Sequence, residues 1–407
     1  MSSAPNTIDF DIAIVGGGIV GLVFARLLTD GLAHAGITTR QRIALIEPQP
    51  PQAIVNDDNI DLRVSAISPA SRAILQSAGI WELIPAHKIS PYEHMRVWQS
   101  GHPVSGARAI HFSAAELGEP DLGAIIENRA TRWAAWQQAL AAGLEVVPSA
   151  SRIATIVEHA DYCTIEFESG VQLRARLVVG ADGAASQVRS QMGVAFREKT
   201  CAQSALVAHV ATSKPHQAVA WQCFLPDGPV ALLPLADGRS SLVWSCPTEQ
   251  AQELQQMDDA AFNQALSVAL AGVAGKVHCT TRRVTFPLAT GFAARYTGRR
   301  FALIGDAAHR VHPLAGLGVN LGLHDAASLA DALLSHLRKP AADPGDPLAL
   351  RHYERDRKSA NLLALGATDA INRMFRSSLR DFAGLGLGLT DRLTPLKAQL
   401  ARHAMGR

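Results

Sequence analysis

Three short stretches of this chain set glycines and a carboxylate where an apolar run ends. Gly16, Gly18 and Gly21 form G-x-G-x-x-G between the apolar run 12–15 and a helix-periodic segment. Glu47 closes the next apolar run, 26 residues after Gly21. This is the arrangement that binds a dinucleotide. Gly16 permits a tight turn, Gly18 lets backbone approach a pyrophosphate, and Gly21 lets helix and strand pack closely. An acid at the position of Glu47 accepts from ribose hydroxyls and favours an unphosphorylated ribose, hence FAD or NAD. The second stretch is Gly180-Ala181-Asp182-Gly183 and the third Gly305-Asp306-Ala307-Ala308-His309. Their small residues allow close approach, and their aspartates can accept from sugar-alcohol hydroxyls. Either one alone also reads as an ordinary strand-end turn.

Residues 316–320 (GLGVN) precede a strong helix candidate at 321–337. Free N–H groups at that helix start suit the electron-rich pyrimidine edge of a flavin, and equally describe plain helix entry. His309 and His312 stand three apart without a cysteine or carboxylate cluster, so no metal site is expected and a packed loop role is the simpler reading. G-x-S-x-G and H-E-x-x-H are absent. No catalytic side chain can be named from the sequence.

These residues need elements to position them. The runs 12–15 and 42–46 with the helix 21–32 between them make a βαβ unit at the start of the chain. Residues 48–59 read as a loop, 68–79 as a helix, 124–142 as a strand followed by a helix, and 177–179 as a buried strand. From 204 to 245 apolar and polar residues alternate between Asp-Gly turns, as in an antiparallel sheet. Residues 301–304 return to the buried-strand pattern, and helices follow a Pro-rich break at 340–347. The expected class is α/β (α+β), a Rossmann-like FAD-binding domain with an inserted antiparallel-sheet substrate domain and a C-terminal helical segment. The expected division assigns 1–75, 95–185 and 290–340 to the first domain, 76–94 and 186–289 to the second, and 341–407 to the helical segment.

Bulk properties narrow the function classes. The chain has 407 residues, enough for two or three domains, and a formal net charge of +2, too small for a general nucleic-acid field. The balance is uneven. Residues 351–407 carry 11 Lys+Arg against 5 Asp+Glu, a pattern that suits either an anionic surface or a solvated helical face. Cysteines 163, 201, 223, 246 and 279 include no C-x-x-C pair, and the polar first residues do not read as a secretory signal. A reducing cytoplasm is expected. No apolar run reaches the roughly 18 residues that span a bilayer.

Taken together, GGGIVG, GADGAAS and GDAAH resemble the flavin monooxygenases of the para-hydroxybenzoate hydroxylase type over essentially the whole chain. Those enzymes hold FAD in one Rossmann-type site, and one complete GxGxxG is present here. A narrower resemblance, to the ubiquinone-biosynthesis hydroxylases, is carried by residues 63–81 (RVSAISPASRAILQSAGIW), 124–129 (AIIENR), 312–330 and 219–244 (VAWQCFLPDGPVALLPLADGRSSLVW).

The resemblance implies that Gly16, Gly18, Gly21 and Glu47 hold the ADP part of FAD and that Asp306 holds the ribityl chain or pyrophosphate. It places Gly316, Gly318, Val319 and Asn320 at the flavin ring, and Arg63 and Arg129 at phosphate or ribityl. Asp182 supports the fold. Trp221, Phe224, Leu233 and Pro313 form the implied substrate pocket. Leu317 is a departure, since family members often carry Gln there. The implied reaction is hydroxylation of a prenylated phenol with NADH or NADPH and O2 through a C4a-hydroperoxyflavin. Implied partners are a ubiquinone-biosynthesis complex and the inner face of a membrane, contacted peripherally. Three alternatives stay open: a hydroxylase of a small soluble aromatic, another FAD enzyme on this fold such as a halogenase or a prenyl reductase, and a non-catalytic FAD-binding assembly member. The halogenase signature W-x-W-x-I-P is absent.

Overall fold

A computed structural model describes residues 9–37, 42–54, 59–147, 152–312 and 316–406. Its first sheet runs in the order Thr297–Gly298, Phe301–Leu303, Gln172–Gly180, Phe10–Val15, Ile43–Ile46, Glu145–Val146. The strands Phe301–Leu303, Gln172–Gly180, Phe10–Val15 and Ile43–Ile46 are mutually parallel. Ile12, Ala13 and Ile14 are fully buried, because helices cover the sheet and leave no wet face. The hairpin Ile153–Glu158 and Cys163–Phe167 extends the sheet from Gln172–Gly180.

Eleven α-helices are present among the described residues. They are α1 (Ile19–His34), α2 (Pro69–Ser77), α3 (Ala114–Leu117), α4 (Asn128–Ala141), α5 (Gln187–Gln191) and α6 (Thr248–Gln256), then α7 (Asp259–Ala269), α8 (Leu317–Leu337), α9 (Pro347–Phe375), α10 (Arg380–Arg392) and α11 (Thr394–Ala404). Helix α1 packs against α4 and α8, which explains why Leu22, Val23, Phe24 and Leu28 are all fully buried rather than confined to one stripe.

A second sheet runs in the order His309–Arg310, Val284–Ala293, Phe196–Thr212, Ser240–Pro247, Gly228–Pro234, Val219–Leu225, His94–Gln99, Ala109–Ser113. One face, with Leu206, Ala208, Val230, Leu232 and Leu242, packs on Phe262 and Leu266 of α7 and Leu254 of α6. A three-stranded sheet, Val64–Ile67, Gly123–Glu127 and Ile89–Tyr92, lies between the two larger ones in the chain path.

The expected division assigned 95–185 to the FAD-binding domain. Instead, His94–Gln99 and Ala109–Ser113 complete the edge of the second sheet, where His94–Gln99 pairs in parallel with Val219–Leu225. The pairing joins segments more than 120 residues apart, and a periodicity cannot name its distant partner.

Candidate functional site

The carboxyl ends of the parallel strands deliver the three glycine stretches to one place. Gly16 adopts a φ of +109°, and a Cβ there would collide with the Ala181 carbonyl, so the first stretch closes directly onto the second. The Ala181 N–H donates to the Val15 carbonyl at 2.8 Å. The position of Gly18 is open, with no atom within 4 Å of an added Cβ. Helix α1 begins immediately after it without a side-chain cap. Glu47 Oε2 accepts from the Gly17 N–H at 2.7 Å and Oε1 from the Gln49 N–H at 2.8 Å. Arg132 donates from Nε to the Gly17 carbonyl at 2.7 Å and pairs with Glu47 at 3.3 Å.

A cleft of about 900 Å³ runs past these groups, lined among others by Gly16, Gly18, Glu47, Arg63, Arg129 and Asp182. Arg129 is fixed by Glu127 Oε1 at 3.2 Å and the Asn59 carbonyl at 2.6 Å. Asp306 is exposed, and its carboxylate takes no side-chain hydrogen bond among the described residues. Desolvation by its surroundings raises its pKa and outweighs the opposing charges of His309, Arg310 and Arg63. Donors at an uncapped helix start, arginines along the wall and an unengaged carboxylate fit a dinucleotide cofactor carrying a diphosphate and a polyol.

Asp182 is a supporting residue. Its Oδ2 accepts from the N–H groups of Gln187 (2.6 Å) and Val188 (3.1 Å), and Oδ1 from the Ser186 hydroxyl (2.5 Å), which together start α5. Burial raises its pKa despite these donors. The third stretch hangs on a residue that sequence reasoning missed. Asp325 of α8 is fully buried. Its Oδ2 faces His309 Nε2 at 2.5 Å and accepts from the Gly305 N–H at 3.1 Å. Its Oδ1 accepts from Arg357 Nε and Asn361 Nδ2, both at 3.0 Å and both on α9. Burial opposes its ionisation, but His309, Arg357 and Asn361 outweigh burial and hold the carboxyl below the usual range. The available signal was a lone acid in the apolar stretch LGLHDAASLA, since a buried charge requires partners.

Helix α8 starts at Gly316, in the left-handed region with φ +61° and no side-chain cap. Gly318 and Val319 lie in its first turn, where backbone N–H groups have no helical partner. Asn320 was expected beside the cofactor, yet its side chain is spent on the frame. Its Oδ1 accepts from the Ser68 N–H at 2.9 Å, and its Nδ2 donates to the carbonyls of Ala66 (2.8 Å) and Gly316 (2.9 Å). Asn320 thus clamps the helix start to the strand Val64–Ile67.

On the far side of that strand lies an apolar cavity of about 210 Å³. Val64, Ala66 and Gly316 form one wall, and Ala220, Gln222, Ala231, Leu233, Val243 and Ser245 of the second sheet form another. Ala401, Ala404 and Met405 close it. Leu233 is where the pocket was expected. Trp221 is not, because side chains alternate along Val219–Leu225: Ala220 and Gln222 face the cavity, and Trp221 faces the opposite side, edge-on to Trp98 at 6.2 Å. Phe224 shares the cavity's face but is covered by Phe375, stacked on it at 3.9 Å. Pro313 lies outside the described residues. The missed lining residues include Tyr92, whose hydroxyl burial pushes up to about 12, with Asp121 adding to the shift, so it remains a donor at neutral pH.

The FAD binding domain family matches residues 9–364. Ubiquinone hydroxylase UbiL of Rhodospirillum rubrum is 36% identical over 404 residues, covering 97% of this chain and 89% of that protein. The 3-demethoxyubiquinol 3-hydroxylase of Escherichia coli is 35% identical, covering 97% and 98%. The mitochondrial ubiquinone biosynthesis monooxygenase COQ6 of Homo sapiens is 33% identical, covering 99% and 94%. Among solved structures, p-nitrophenol 4-monooxygenase PnpA of Pseudomonas putida superimposes with a TM-score of 0.74 at 19% identity over 98% of both chains. PqsL of Pseudomonas aeruginosa, a probable FAD-dependent monooxygenase, does so with 0.73 at 24% over 92% and 99%. These two likenesses speak for the fold.

Proposed function

The chain belongs to the FAD binding domain family, among the ubiquinone-biosynthesis hydroxylases, and on that premise we propose that it hydroxylates the aromatic ring of a prenylated phenol on the way to ubiquinone. FAD is its cofactor; NADH or NADPH is the proposed electron source and O2 the oxygen source. The observation that carries the substrate reading is the apolar cavity reaching Gly316 at the start of α8. A ring seated there lies beside the helix start proposed to face the flavin, and its apolar walls suit a prenyl group. The first sheet is proposed to carry the cofactor, the second sheet the substrate, and the last helices the closing wall.

When bound, FAD supplies the redox and oxygen-transfer chemistry. The protein's part is to hold, orient and dry. The start of α1 with Gly16, Gly18, Arg63 and Arg129 would hold the diphosphate. Gly21 keeps α1 close to its strand, and Glu47 would accept from the ribose while Arg132 fixes it. Asp306 would accept from the polyol, and the N–H groups of Gly318 and Val319 would meet the ring edge. Tyr92, Gln222 and Ser245 are the polar groups available to orient a phenol head in an otherwise apolar cavity, whose apolar walls would disfavour water around the ring.

The test is deletion of the gene followed by mass spectrometry of the lipid extract. Accumulation of one prenylated phenol is expected, and its structure names the ring position. An unchanged quinone pool without that accumulation, in a strain with no second enzyme for the step, overturns the proposal. A prenylated substrate resides in a membrane, so peripheral visits to one are part of the reading; no helix among the described residues is long and apolar enough to cross it.

A further inference from the structure

Large apolar side chains are not spread evenly over the surface of this protein. Among the described residues seventeen stand exposed, and eleven of them come after residue 361. Scattered single exposures need no explanation, but a concentration of this kind does. Helix α10 shows how it arises. Its Gly384 and Gly388 press against Gln99 and the Ala107 carbonyl, where a Cβ would collide with either, so the helix lies close on the edge strands. Phe382, Leu385 and Leu389 then point away, exposed by 71%, 49% and 62%. Helix α11 repeats the pattern. Ala401 is buried, while Leu396 and Leu400 are exposed.

Charge follows the same division. All three acids after residue 361 are engaged. Asp369 reaches Lys199, Asp381 reaches Arg108 and Gln99, and Asp391 accepts from the His111 N–H. Arg376, Arg392 and Arg402 are exposed and have no carboxylate partner among the described residues. The segment after residue 361 is thus rich in both exposed apolar side chains and unpaired cations, as in helices that lie in an anionic membrane interface. A second copy docked face to face would bring the same arginines together.

We infer that the outward face of α10 and α11 docks on an anionic bilayer, and that α11 is the wall shared between that bilayer and the apolar cavity. Ala401, Ala404 and Met405 of this segment line the cavity, while Leu396 and Leu400 look outward. The cavity, at about 210 Å³, is smaller than the ~300–1,000 Å³ usual for drug-sized ligands. It holds a ring and the start of a tail, and the rest of a long tail leaves past α11. This last point rests on the proposed prenylated substrate; the docking does not.

The experiment is flotation of the full-length holoprotein with vesicles of phosphatidylglycerol and phosphatidylethanolamine, against vesicles of phosphatidylcholine alone. Binding at least about ten-fold stronger to the anionic vesicles, and weakened by salt, is expected. Phe382→Ser with Leu389→Ser, and separately Arg376→Ser with Arg392→Ser and Arg402→Ser, are each expected to weaken it about ten-fold. FAD content and the melting curve should stay unchanged, since all five side chains are exposed. Equal wild-type binding to both vesicle types, or undiminished binding by both variants, overturns the docking. So does a mass doubling in light scattering that Phe382→Ser with Leu389→Ser abolishes, which would assign the face to a second copy. A short-tailed prenylphenol in solution separates the two readings. The docking variants keep their turnover on it if the proposed function holds, and a wild-type protein inert towards it counts against the function and leaves the vesicle result standing.

Discussion

The polar cleft takes Asp61 and Arg63 into its wall, the apolar cavity takes Val64 and Ala66 just after them, and the two are built on opposite principles. The cleft is made of groups tied to one another. Glu47 is held by two N–H groups and Arg132, and the third glycine stretch hangs on Asp325. The cavity is walled mostly by apolar side chains that pack. Tied groups fix positions to fractions of an ångström, as a cofactor requires, whereas packed walls fix volume and polarity, as a greasy substrate requires.

That contrast can be broken. Asp325→Ala should give the largest effect, about 3–5 kcal/mol of lost stability in urea unfolding, because it strands Arg357 and His309 in the interior. A loss under 1 kcal/mol, roughly the worth of an exposed pair, would mean that the network is not holding the cleft.

The two halves should also differ in acid. His209 of the second sheet is fully buried, its ring nitrogens take no hydrogen bond among the described residues, and burial, with Arg239, lowers its pKa to about 4. A base whose folded pKa is lowered stays neutral in the fold while the unfolded chain takes up a proton. Its contribution is complete above about pH 6.5 and falls away towards pH 4, by about 3 kcal/mol at most. Asp325 is the opposite case. Its stabilisation persists down to the ordinary carboxylate range near pH 4 and is lost only as pH falls through its lower folded value. Stability measured between pH 7 and 4.5 should therefore fall less steeply in His209→Leu, the buried His312, also lowered to about 4, keeping part of the slope, whereas Asp325→Asn should keep the slope of the wild type.

Binding separates the regions more gently. Gly16→Ala forces an L-residue to φ +109° and should weaken FAD about ten- to hundred-fold, read as flavin absorbance per protein after dialysis. Ala231→Phe should leave FAD content alone and raise KM for a prenylated phenol about ten-fold by filling the cavity. The smallest change expected is from Trp221→Phe. KM should stay within about two-fold, since the ring lies on the sheet's other face. A large KM effect there would return Trp221 to the pocket.

The same contrast governs what could be read from the sequence. The cleft motifs are local, with strand, turn and helix start falling within a dozen residues around Gly16, so type and spacing are enough to recognise them. The cavity is not local. Alternation along Val219–Leu225 divides Ala220 and Gln222 from Trp221 without saying which side faces the site, and an aromatic ring makes the wrong side attractive. The closing wall comes from 401–405, far in sequence from the strands it meets, and a helical pattern carries no record of what its buried face touches. Asn320 was expected at the flavin ring, but a glycine-rich motif does not separate a side chain aimed at the frame, as this one is, from a backbone aimed at the cleft.

Gly16 closes on Ala181, and this has a consequence in time. The glycine turn leaves the ribosome early, yet the carbonyl that packs against it is made 165 residues later. At about 5–20 residues per second, the nascent turn waits on the order of ten to thirty seconds for its partner. Its own strand, Phe10–Val15, meanwhile has a free edge where Gln172–Gly180 will pair, apolar and open to mispairing. Cofactor capture is therefore a late event in the life of the chain, although the motif that announces it comes near the beginning.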